Sequence, residues 1–308
     1  MSRRVIVIDW GTTNFRAWLI DRESGAVIDS IDQGQGMASL ERDAFATYCG
    51  ARIAPWREQG HAPVYMAGMV GADQGWHKAP QLPVPLGAAN IAAAVVAAPG
   101  LADAWIIPGA RVPGASPDVM RGEEVQIFGA LALAGVENGV CCLPGTHSKW
   151  ARVREGQLLG FETVMTGEIY NLLVTRSILA RSLPDTGAPE GFIESAFVRG
   201  LEKASSTGGV LNQVFSARSL FLQGSLAPQD AADYISGILI GQEVASMAPA
   251  YPAAGEPLML IGSDELRLRY RLALSNAGFK VQELTARDAS LAGMRALIQL
   301  HERDADQE

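Results

Sequence analysis

The sequence predicts an α/β protein of two lobes, each of which contains a β-meander. Its 308 residues exceed the length at which a single hydrophobic core usually stops growing. Strand-like and helix-like segments alternate along the chain, a pattern typical of α/β architectures. A strand, a polar turn and a second strand near the N-terminus are echoed 134 residues later. We therefore expect an N-terminal lobe of residues 1–135 and a C-terminal lobe of residues 136–308.

Three strands separated by polar turns should open the N-terminal lobe. These apolar, β-branched runs are residues 5–8, 15–20 and 26–31. A helix is expected over 42–58, because Gly60 stands where a helix C-cap would lie. Residues 64–69 predict a short strand, and the stretch 68–87, rich in proline and glycine, is at best an edge strand.

The rest of this lobe should contain two helices and a strand. The alanine-rich run 88–100 predicts a short helix, and 104–109 predicts a strand. A helix over 120–135 should begin at Gly122 and end at Gly135, because glycine is favoured at helix boundaries.

The C-terminal lobe should begin with the second meander, at Val140. Helices and strands then alternate toward the C-terminus. The expected helices cover 165–183, two or three pieces within 193–250, 263–278 and the segment that follows Thr285. The expected strands are 258–262 and 279–284. This order of elements is that of an α/β lobe.

Composition and charge exclude several classes of protein. The net charge of −8 and the isoelectric point near 5.1 argue against a nucleic-acid surface. The apolar run behind Arg3 and Arg4 is interrupted by Asp9, so it is too short for a signal peptide or a membrane span. Three cysteines, two of them adjacent, suit reduced thiols better than disulfides. We expect a cytoplasmic protein without nucleic-acid or membrane partners, and a homodimer is the default expectation for its assembly.

The internal repeat centres on two glycine-threonine turns. When residues 11–20 are aligned with 145–154, three of ten positions are identical, and both segments lead into a charged turn that contains glycine. Glycine lets backbone N–H groups point at one spot and threonine adds hydroxyl donors, so such a turn can cradle phosphate oxygens. One such turn alone is typical of a plain hairpin. Two in matching surroundings favour a pair of phosphate loops that grip the β- and γ-phosphates of one nucleotide across a cleft.

Several polar residues in and beside these turns could bind a nucleotide. The candidates are Gly11, Thr12, Thr13 and Asn14 in the first turn and Gly145, Thr146, His147, Ser148 and Lys149 in the second. Asp9, at the end of the first predicted strand, could hold Mg²⁺ directly or through water, or it could accept hydrogen bonds from local N–H groups. Other nucleotide signatures, such as G-x-x-x-x-G-K-[ST], do not occur in the sequence.

Longer motifs around these turns resemble a known family. The segments IDWGTTNFRAW (8–18) and LPGTHSKW (143–150) resemble the two phosphate loops of the actin, heat-shock ATPase and sugar kinase superfamily. Together with MAGMVGADQGW (66–76), MRGEEVQIFGAL (120–131) and MTGEIYNLL (165–173), they make the chain similar to the 2-dehydro-3-deoxygalactonokinases over essentially its whole length.

This resemblance implies a two-lobed actin-like ATPase (ribonuclease H-like) fold, with duplicated β-meander lobes around a nucleotide cleft. It implies a kinase that uses ATP and Mg²⁺ to phosphorylate the terminal (6-) hydroxyl of 2-dehydro-3-deoxy-D-galactonate, a small-molecule sugar acid, in galactonate catabolism. The sugar acid and the first phosphate loop would belong to the N-terminal lobe, and the second loop and the adenosine site to the C-terminal lobe. In the superfamily a glycine-rich turn between strand and helix lies beside adenosine, which points to Gly262 and Ser263 here. Ser263 is also a favoured N-cap for the following helix.

Acidic residues at the start of the 120–135 helix are candidates for the catalytic base. Phosphoryl transfer needs a positioned acceptor, and a carboxylate beside its hydroxyl can take the proton. Related sugar kinases often place an Asp after a glycine at the start of a helix; Glu123 takes that place here, with Glu124 as the second candidate. Together with Asp9 these are the catalytic candidates. Carboxylates in a first helical turn are also favoured by the helix dipole alone.

The sugar acid would need a cation for its carboxylate and polar groups for its hydroxyls. Candidates in or beside the cleft motifs are Arg16, Lys78, Arg121 and Lys149 for the carboxylate and Asp73, Gln74 and Glu168 for the hydroxyls. Trp76 is expected to stack on the sugar face.

Two alternative functions stay open on the sequence alone. A kinase for another sugar or sugar acid would have the same fold and phosphate loops, and a panel of acceptors with ATP would distinguish it. An ATP-hydrolysing switch like actin or the heat-shock ATPases would instead hydrolyse ATP slowly, at a rate that no sugar changes.

Overall fold

The computed structural model describes residues 2–184, 187, 191–252 and 257–305. Contacts between residues divide the chain into two compact units. Unit 1 comprises Met1–Asn138, Val153–Phe161 and Ala286–Glu308, and unit 2 comprises Gly139–Arg152 and Glu162–Thr285. The units therefore interleave along the chain, whereas the sequence suggested a single boundary at residue 135.

The described residues form strands, α-helices and short 3-10 helices. The strands are β1 (Arg4–Trp10), β2 (Phe15–Asp21), β3 (Val27–Ile31), β4 (Val64–Ala67), β5 (Gln81–Pro83), β6 (Leu86–Gly87), β7 (Val96–Ala97), β8 (Ala104–Ile106), β9 (Gly109–Val112), β10 (Asp118–Met120), β11 (Gly139–Leu143), β12 (Ser148–Arg154), β13 (Gln157–Val164), β14 (Leu258–Gly262) and β15 (Val281–Thr285). The α-helices are α1 (Phe45–Glu58), α2 (Ala88–Ala93), α3 (Glu123–Ala134), α4 (Thr166–Arg176), α5 (Glu194–Ala204), α6 (Gly209–Leu222), α7 (Ala231–Met247), α8 (Asp264–Asn276) and α9 (Ala286–Ala305). The 3-10 helices are Met37–Ser39, Arg42–Ala44, Met69–Gly71, Ile178–Ser182 and Pro228–Asp230.

Unit 1 is built on a six-stranded sheet in the order β3-β2-β1-β4-β8-β7. The predicted N-terminal meander is confirmed, because β2 pairs antiparallel with both β1 and β3. On the other side of β1, β4 and β8 extend the sheet in parallel. The central position of β1 buries its side chains from Val5 to Ile8. This burial explains why that segment is a continuous apolar run rather than an alternating one.

Unit 2 repeats this arrangement with β15, β14, β11 and the parts of β12 and β13 that belong to it, in the order β15-β14-β11-β12-β13. The first strand of the second meander, β11, again lies between its meander partner and two strands that continue the sheet in parallel. The duplicated lobes expected from the internal repeat are therefore confirmed at the level of strand order. Residues 157 and 158, at the start of β13, belong to unit 1, where they pair with β6.

The C-terminal helix α9 packs inside unit 1, against α3. The two helices approach closely at a pair of glycines. A Cβ added to Gly129 would lie 1.8 Å from the carbonyl oxygen of Ala289, and one added to Gly293 would lie 1.9 Å from that of Val125. Only glycine fits at such contacts. They join distant parts of the chain, which the sequence pattern does not indicate.

Short segments of unit 1 differ from expectation in two places. The predicted helix 88–100 is only six residues long as α2, and Val96–Ala97 joins the sheet as β7, in keeping with the strand preference of valine. The sequence did not indicate β10, which pairs with β9 in a three-stranded sheet whose other edge is β5.

The helical content of unit 2 agrees with the sequence-based expectation. Residues 193–250 contain α5, α6 and α7, while the helix predicted over 165–183 is interrupted after Arg176 and continues as a 3-10 helix. Of the helices in the described ranges, none combines the length and the apolar character that crossing a membrane requires.

Candidate active site

The first glycine-threonine turn connects β1 to β2 at one end of the sheet in unit 1. The strand runs two residues beyond its predicted end at Ile8, so Asp9 lies within β1 and opposite Arg16 of β2. The N–H of Gly11 donates to the carbonyl of Asn14 at 2.9 Å, which closes the turn. The side chains of Thr12, Thr13 and Asn14 are exposed.

The segment after β3 holds this turn in place. The N–H of Met37 donates to the carbonyl of Gly11 at 3.0 Å, and that of Ala38 donates to the carbonyl of Thr12 at 3.0 Å. Within the described part of the chain, the N–H groups of Thr12 and Thr13 have no protein acceptor. A turn whose carbonyls already accept hydrogen bonds, and whose N–H groups are still free to donate, is suited to binding an anion.

Asp9 lies close to the start of α3, because two glycines with positive φ allow a close approach. Gly68 has φ 97° and Gly122 has φ 106°. A Cβ added to Gly68 would lie 2.8 Å from the carbonyl oxygen of Trp10 and 3.4 Å from Oδ1 of Asp9, and one added to Gly122 would lie 3.3 Å from the Cα of Gly68. Glycine is therefore required at both positions.

The carboxyl group of Asp9 is in an unfavourable electrostatic environment. Its side chain is 34% exposed, and Nη1 of Arg16 lies 3.9 Å from Oδ2. Burial raises the pKa of Asp9, the Arg16 guanidinium lowers it, and the neighbouring Glu123 raises it. A carboxylate held in this way is stabilised when a cation binds beside it.

The two glutamates that begin α3 differ in exposure. Glu124 is fully buried, and both of its carboxyl oxygens accept the N–H of Gly122 at 2.8 Å. Burial, helped by the charge of Glu123, raises the pKa of Glu124 to about 8. Glu123 is partly exposed, and its Oε2 accepts the N–H of Arg121 at 3.0 Å. Of the two, Glu123 is the carboxyl that solvent can reach.

The raised pKa of Glu124 predicts how stability depends on pH. In the folded chain the carboxyl group of Glu124 stays protonated up to about pH 8. In an unfolded chain the same group loses its proton at about pH 4.3. The folded state therefore binds more protons over this interval, so this group lowers stability as pH rises through it.

Glu124→Gln removes this pH dependence of stability. Its melting temperature should match that of the wild type near pH 4 and exceed it increasingly up to pH 8, as measured by differential scanning calorimetry. Exposed Glu41→Gln is the control, and a constant difference between Glu124→Gln and the wild type at all pH values would contradict the account.

The loop 72–79 is fixed to unit 1 by hydrogen bonds from two arginines. Nη2 of Arg121 donates to the carbonyl of Ala79 at 2.9 Å, and Arg42 donates to the carbonyl of Asp73. Nζ of Lys78 and Oδ1 of Asp73 form an ion pair of 2.8 Å. Asp73, Gln74 and Lys78 are exposed, so this loop presents polar groups on a fixed backbone.

Two residues predicted to contact the substrate are placed otherwise. Trp76 is only 5% exposed; its ring stacks on Phe45 and meets Trp10 edge-on. The structure therefore does not offer its ring face to a sugar, because the turn at Gly75 directs the indole into the core. Arg121 lies beneath the loop that it anchors, and its Nη1 is buried without a hydrogen-bond partner among the described residues. Burial lowers the pKa of Arg121.

The second glycine-threonine turn, in unit 2, exposes fewer of its residues than expected. Thr146 and His147 are exposed, but Ser148 and Lys149 are buried at the start of β12. Oγ of Ser148 lies 2.9 Å from the hydroxyl of Tyr270, and Nζ of Lys149 donates to the carbonyl of His147 at 3.2 Å. The Ser148 and Lys149 side chains, both candidates for nucleotide binding, thus make contacts within unit 2.

The start of α4 forms a wall of this turn. A Cβ added to Gly167 would lie 2.3 Å from the carbonyl oxygen of Gly145, so no other residue fits there. The N–H of Glu168 donates to the carbonyl of Thr146 at 2.9 Å, and its Oε2 lies 2.5 Å from Nε2 of His147. Glu168 was expected to contact the sugar acid; the structure places it beside the second turn, in unit 2.

The turn between β14 and α8 lies at the same edge of the unit 2 sheet. Because β14 pairs in parallel with β11, Gly262 at the end of β14 lies next to Pro144, and a Cβ added to Gly262 would lie 3.7 Å from Cδ of Pro144. The hydroxyl of Ser263 accepts the N–H of Leu266, so this serine caps α8. Gly262 and Ser263 are thus close to the second turn, as the expected adenosine role requires.

A largely apolar pocket opens beside these two turns within unit 2. It is lined by Gly145, Thr166, Gly167, Tyr170, Ser236, Leu239, Ile240, Glu265, Leu266, Arg269 and Tyr270. A concave apolar surface with a few polar groups is what a purine base and ribose require. Most of these residues were not among the sequence-based candidates, because they come from three helices and share no motif.

The motifs described in each unit belong to a sequence pattern that the chain shares with known proteins. The sequence pattern of the 2-keto-3-deoxy-galactonokinase family matches residues 9–297. The chain belongs to this family. The 2-dehydro-3-deoxygalactonokinase of Escherichia coli (strain K12) is 37% identical to the chain over 298 residues, which cover 96% of this chain and 98% of the relative. The kinase family indicated by the sequence motifs is confirmed.

Solved structures agree with this membership. A protein from Sinorhizobium meliloti, assigned as a 2-dehydro-3-deoxygalactonokinase, is similar with a TM-score of 0.87 at 34% identity, covering 96% of this chain and 98% of that one. An activator of 2-hydroxyisocaproyl-CoA dehydratase from Clostridium difficile, solved with ADPNP bound, shares the fold with a TM-score of 0.56 at 11% identity, covering 98% and 97%. The predicted actin-like ATPase fold class is confirmed.

Proposed function

We propose that this chain transfers the γ-phosphoryl group of ATP to the terminal (6-) hydroxyl of 2-dehydro-3-deoxy-D-galactonate, as a step of galactonate catabolism in the cytoplasm. The observation that carries this proposal is the match to the galactonokinase family over residues 9–297. Residues at both glycine-threonine turns and at the start of α3 fall within that match. The small sugar acid is the partner that the proposal requires.

Exposed backbone and polar groups that could bind a nucleotide are proposed in each unit separately. In unit 1, the unused N–H groups of Thr12 and Thr13 are proposed to bind phosphate oxygens, with Gly11 and Asn14 shaping the turn. In unit 2, the corresponding residues are Gly145, Thr146 and His147. Gly262, Ser263 and the pocket that Leu239, Ile240 and Leu266 help to line are proposed to hold adenosine.

Asp9 is proposed to hold Mg²⁺, directly or through water. The described residues contain no group of three or more His, Cys, Asp or Glu side chains that could hold a metal ion. Mg²⁺ in phosphoryl-transfer sites is usually bound by one or two carboxylates, by water and by substrate phosphates, so one carboxylate ligand beside a phosphate loop fits it. The ion would neutralise charge on the transferring phosphoryl group.

Glu123 is proposed to accept the proton of the attacking hydroxyl. It is the partly exposed carboxyl beside Asp9, and Glu124 is buried behind it. Asp73, Gln74 and Lys78, on the fixed loop 72–79, are proposed to bind the sugar acid together with Arg16. Lys78 and Arg16 are the exposed cations in this set, so one of them is assigned to the substrate carboxylate.

The proposed acceptor can be tested with a pair of epimers. In a coupled assay of ADP release, kcat/KM with 2-dehydro-3-deoxy-D-galactonate should exceed that with the gluconate-derived epimer by about tenfold or more, because a misplaced hydroxyl leaves polar groups of the site unpaired. A preference for the epimer or for another sugar would indicate a different kinase of the same fold. ATP hydrolysis that no acceptor changes would indicate a switch protein.

A further inference from the structure

A buried glutamate in unit 2 has no role in the function described so far. Glu243 lies in α7, a helix whose neighbouring residues are mostly apolar, and it is 3% exposed. An unpaired carboxylate inside a protein is costly, so a buried one is normally surrounded by hydrogen-bond donors. Burial raises the pKa of Glu243, and hydrogen bonds from its neighbours lower it.

The donors to Glu243 come from three different elements. Nε1 of Trp150 in β12 donates to Oε1 at 2.8 Å, and the hydroxyl of Tyr270 in α8 donates to Oε2 at 2.6 Å. The hydroxyl of Thr166, at the start of α4, also donates to Oε2. Because the Tyr270 hydroxyl gives its proton to Glu243, it accepts from the hydroxyl of Ser148, 2.9 Å away. One carboxylate thus joins α7 to β12, α8 and α4.

These elements meet at the second glycine-threonine turn. Ser148 is the residue at which the turn enters β12, and Thr166 precedes Gly167, which is pressed against the carbonyl of Gly145. Thr166 and Tyr270 also line the apolar pocket, while Glu243 is not among its lining residues. The bonds from Thr166 and Tyr270 to Glu243 therefore fix groups that shape the turn or the pocket.

We propose that Glu243 is a positioning residue for nucleotide binding, whose hydrogen bonds to Thr166 and Tyr270 hold the turn 145–148 and the pocket wall in their binding geometry. The inference rests on the proposed nucleotide site in unit 2. It goes beyond that site because Glu243 acts through Thr166, Tyr270 and Ser148 rather than by contact with ATP. Fixed donors lower the entropic cost of binding, since the turn is ordered before the ligand arrives.

Two substitutions test this role through nucleotide affinity. Glu243→Gln keeps the shape but loses an acceptor, and Tyr270→Phe removes the hydroxyl that joins Glu243 to Ser148. Each should raise the Kd for ADP, measured by isothermal titration calorimetry, and the KM for ATP by about five- to tenfold. The KM for the sugar acid should change less than twofold. If Glu243→Gln does not fold, Tyr270→Phe decides the question.

Tyr234→Phe is the matched control. Tyr234 is also a buried tyrosine of unit 2, its hydroxyl lies 2.8 Å from that of Ser216, and it does not line the pocket. It should lower the melting temperature to a similar degree without changing the Kd for ADP.

Three outcomes would overturn the inference. The first is wild-type ADP affinity in both test variants, and the second is an equal loss of affinity in Tyr234→Phe. The third is a wild-type chain that binds no ADP, which would also remove the proposed function. A wild type that binds ADP but does not phosphorylate the sugar acid would contradict the proposed substrate alone.

Discussion

Asp9→Asn should lower kcat by about 100-fold or more, because the variant loses the charge proposed to hold Mg²⁺ beside the phosphates. The KM for the sugar acid should change less than twofold, since Asp9 is not assigned to that substrate. The variant should also need more Mg²⁺ to reach half of its own maximal rate. Steady-state kinetics over a Mg²⁺ titration measures all three quantities.

The same substitution should not destabilise the fold. Burial and the charge of Glu123 raise the pKa of Asp9, so the ionised side chain is disfavoured in the folded state. A neutral amide of the same shape should therefore leave the melting temperature unchanged or raise it, as is common for residues retained for function. Asp32→Asn, at an exposed position of unit 1, is the control for both measurements. Wild-type turnover in Asp9→Asn would remove the proposed role of Asp9.

Glu123→Gln should lower kcat by about 10²- to 10⁴-fold, the usual contribution of a general base. The amide cannot accept the proton of the attacking hydroxyl, but it keeps the size of the side chain and can still accept the N–H of Arg121. Folding and nucleotide affinity should therefore be retained. Single-turnover measurements with saturating ATP isolate the chemical step.

Glu124→Gln is the matched comparison, because the two glutamates are adjacent and differ in exposure. Glu124 is buried and its pKa is about 8, so it is mostly protonated at neutral pH and is a poor base there. Its substitution should lower kcat far less than that of Glu123. A larger loss in Glu124→Gln than in Glu123→Gln would assign the base to Glu124 and contradict the role given to Glu123.

The sequence predicted best the features whose chemistry and backbone conformation both require particular residue types at fixed spacing. The two glycine-threonine turns were visible because phosphate cradles need glycine and hydroxyl residues at fixed spacing, and the meanders around them have the apolar pattern of strands. The two glycines at the ends of α3 were also predictable from the sequence, because Gly122 and Gly135 both have positive φ, which favours glycine.

The sequence did not predict the exposure or the contacts of residues that pack against distant parts of the chain. Trp76 lies in a polar loop, so its sequence context suggests exposure, yet Phe45 and Trp10 provide an aromatic core for it. Ser148 and Lys149 follow an exposed turn but belong to a buried strand. Glu243 could have been noticed as an acid in an apolar helix, but its partners are distant in sequence, so its contacts could not be predicted.

The central claim is that this chain transfers the γ-phosphoryl group of ATP to the terminal hydroxyl of the sugar acid. Phosphorus NMR of a completed reaction tests it most directly. The account predicts ADP and, in equal amount, a phosphomonoester whose phosphorus couples to the two protons of the C6 methylene group. Inorganic phosphate in place of the ester, or an ester on another carbon, would contradict it.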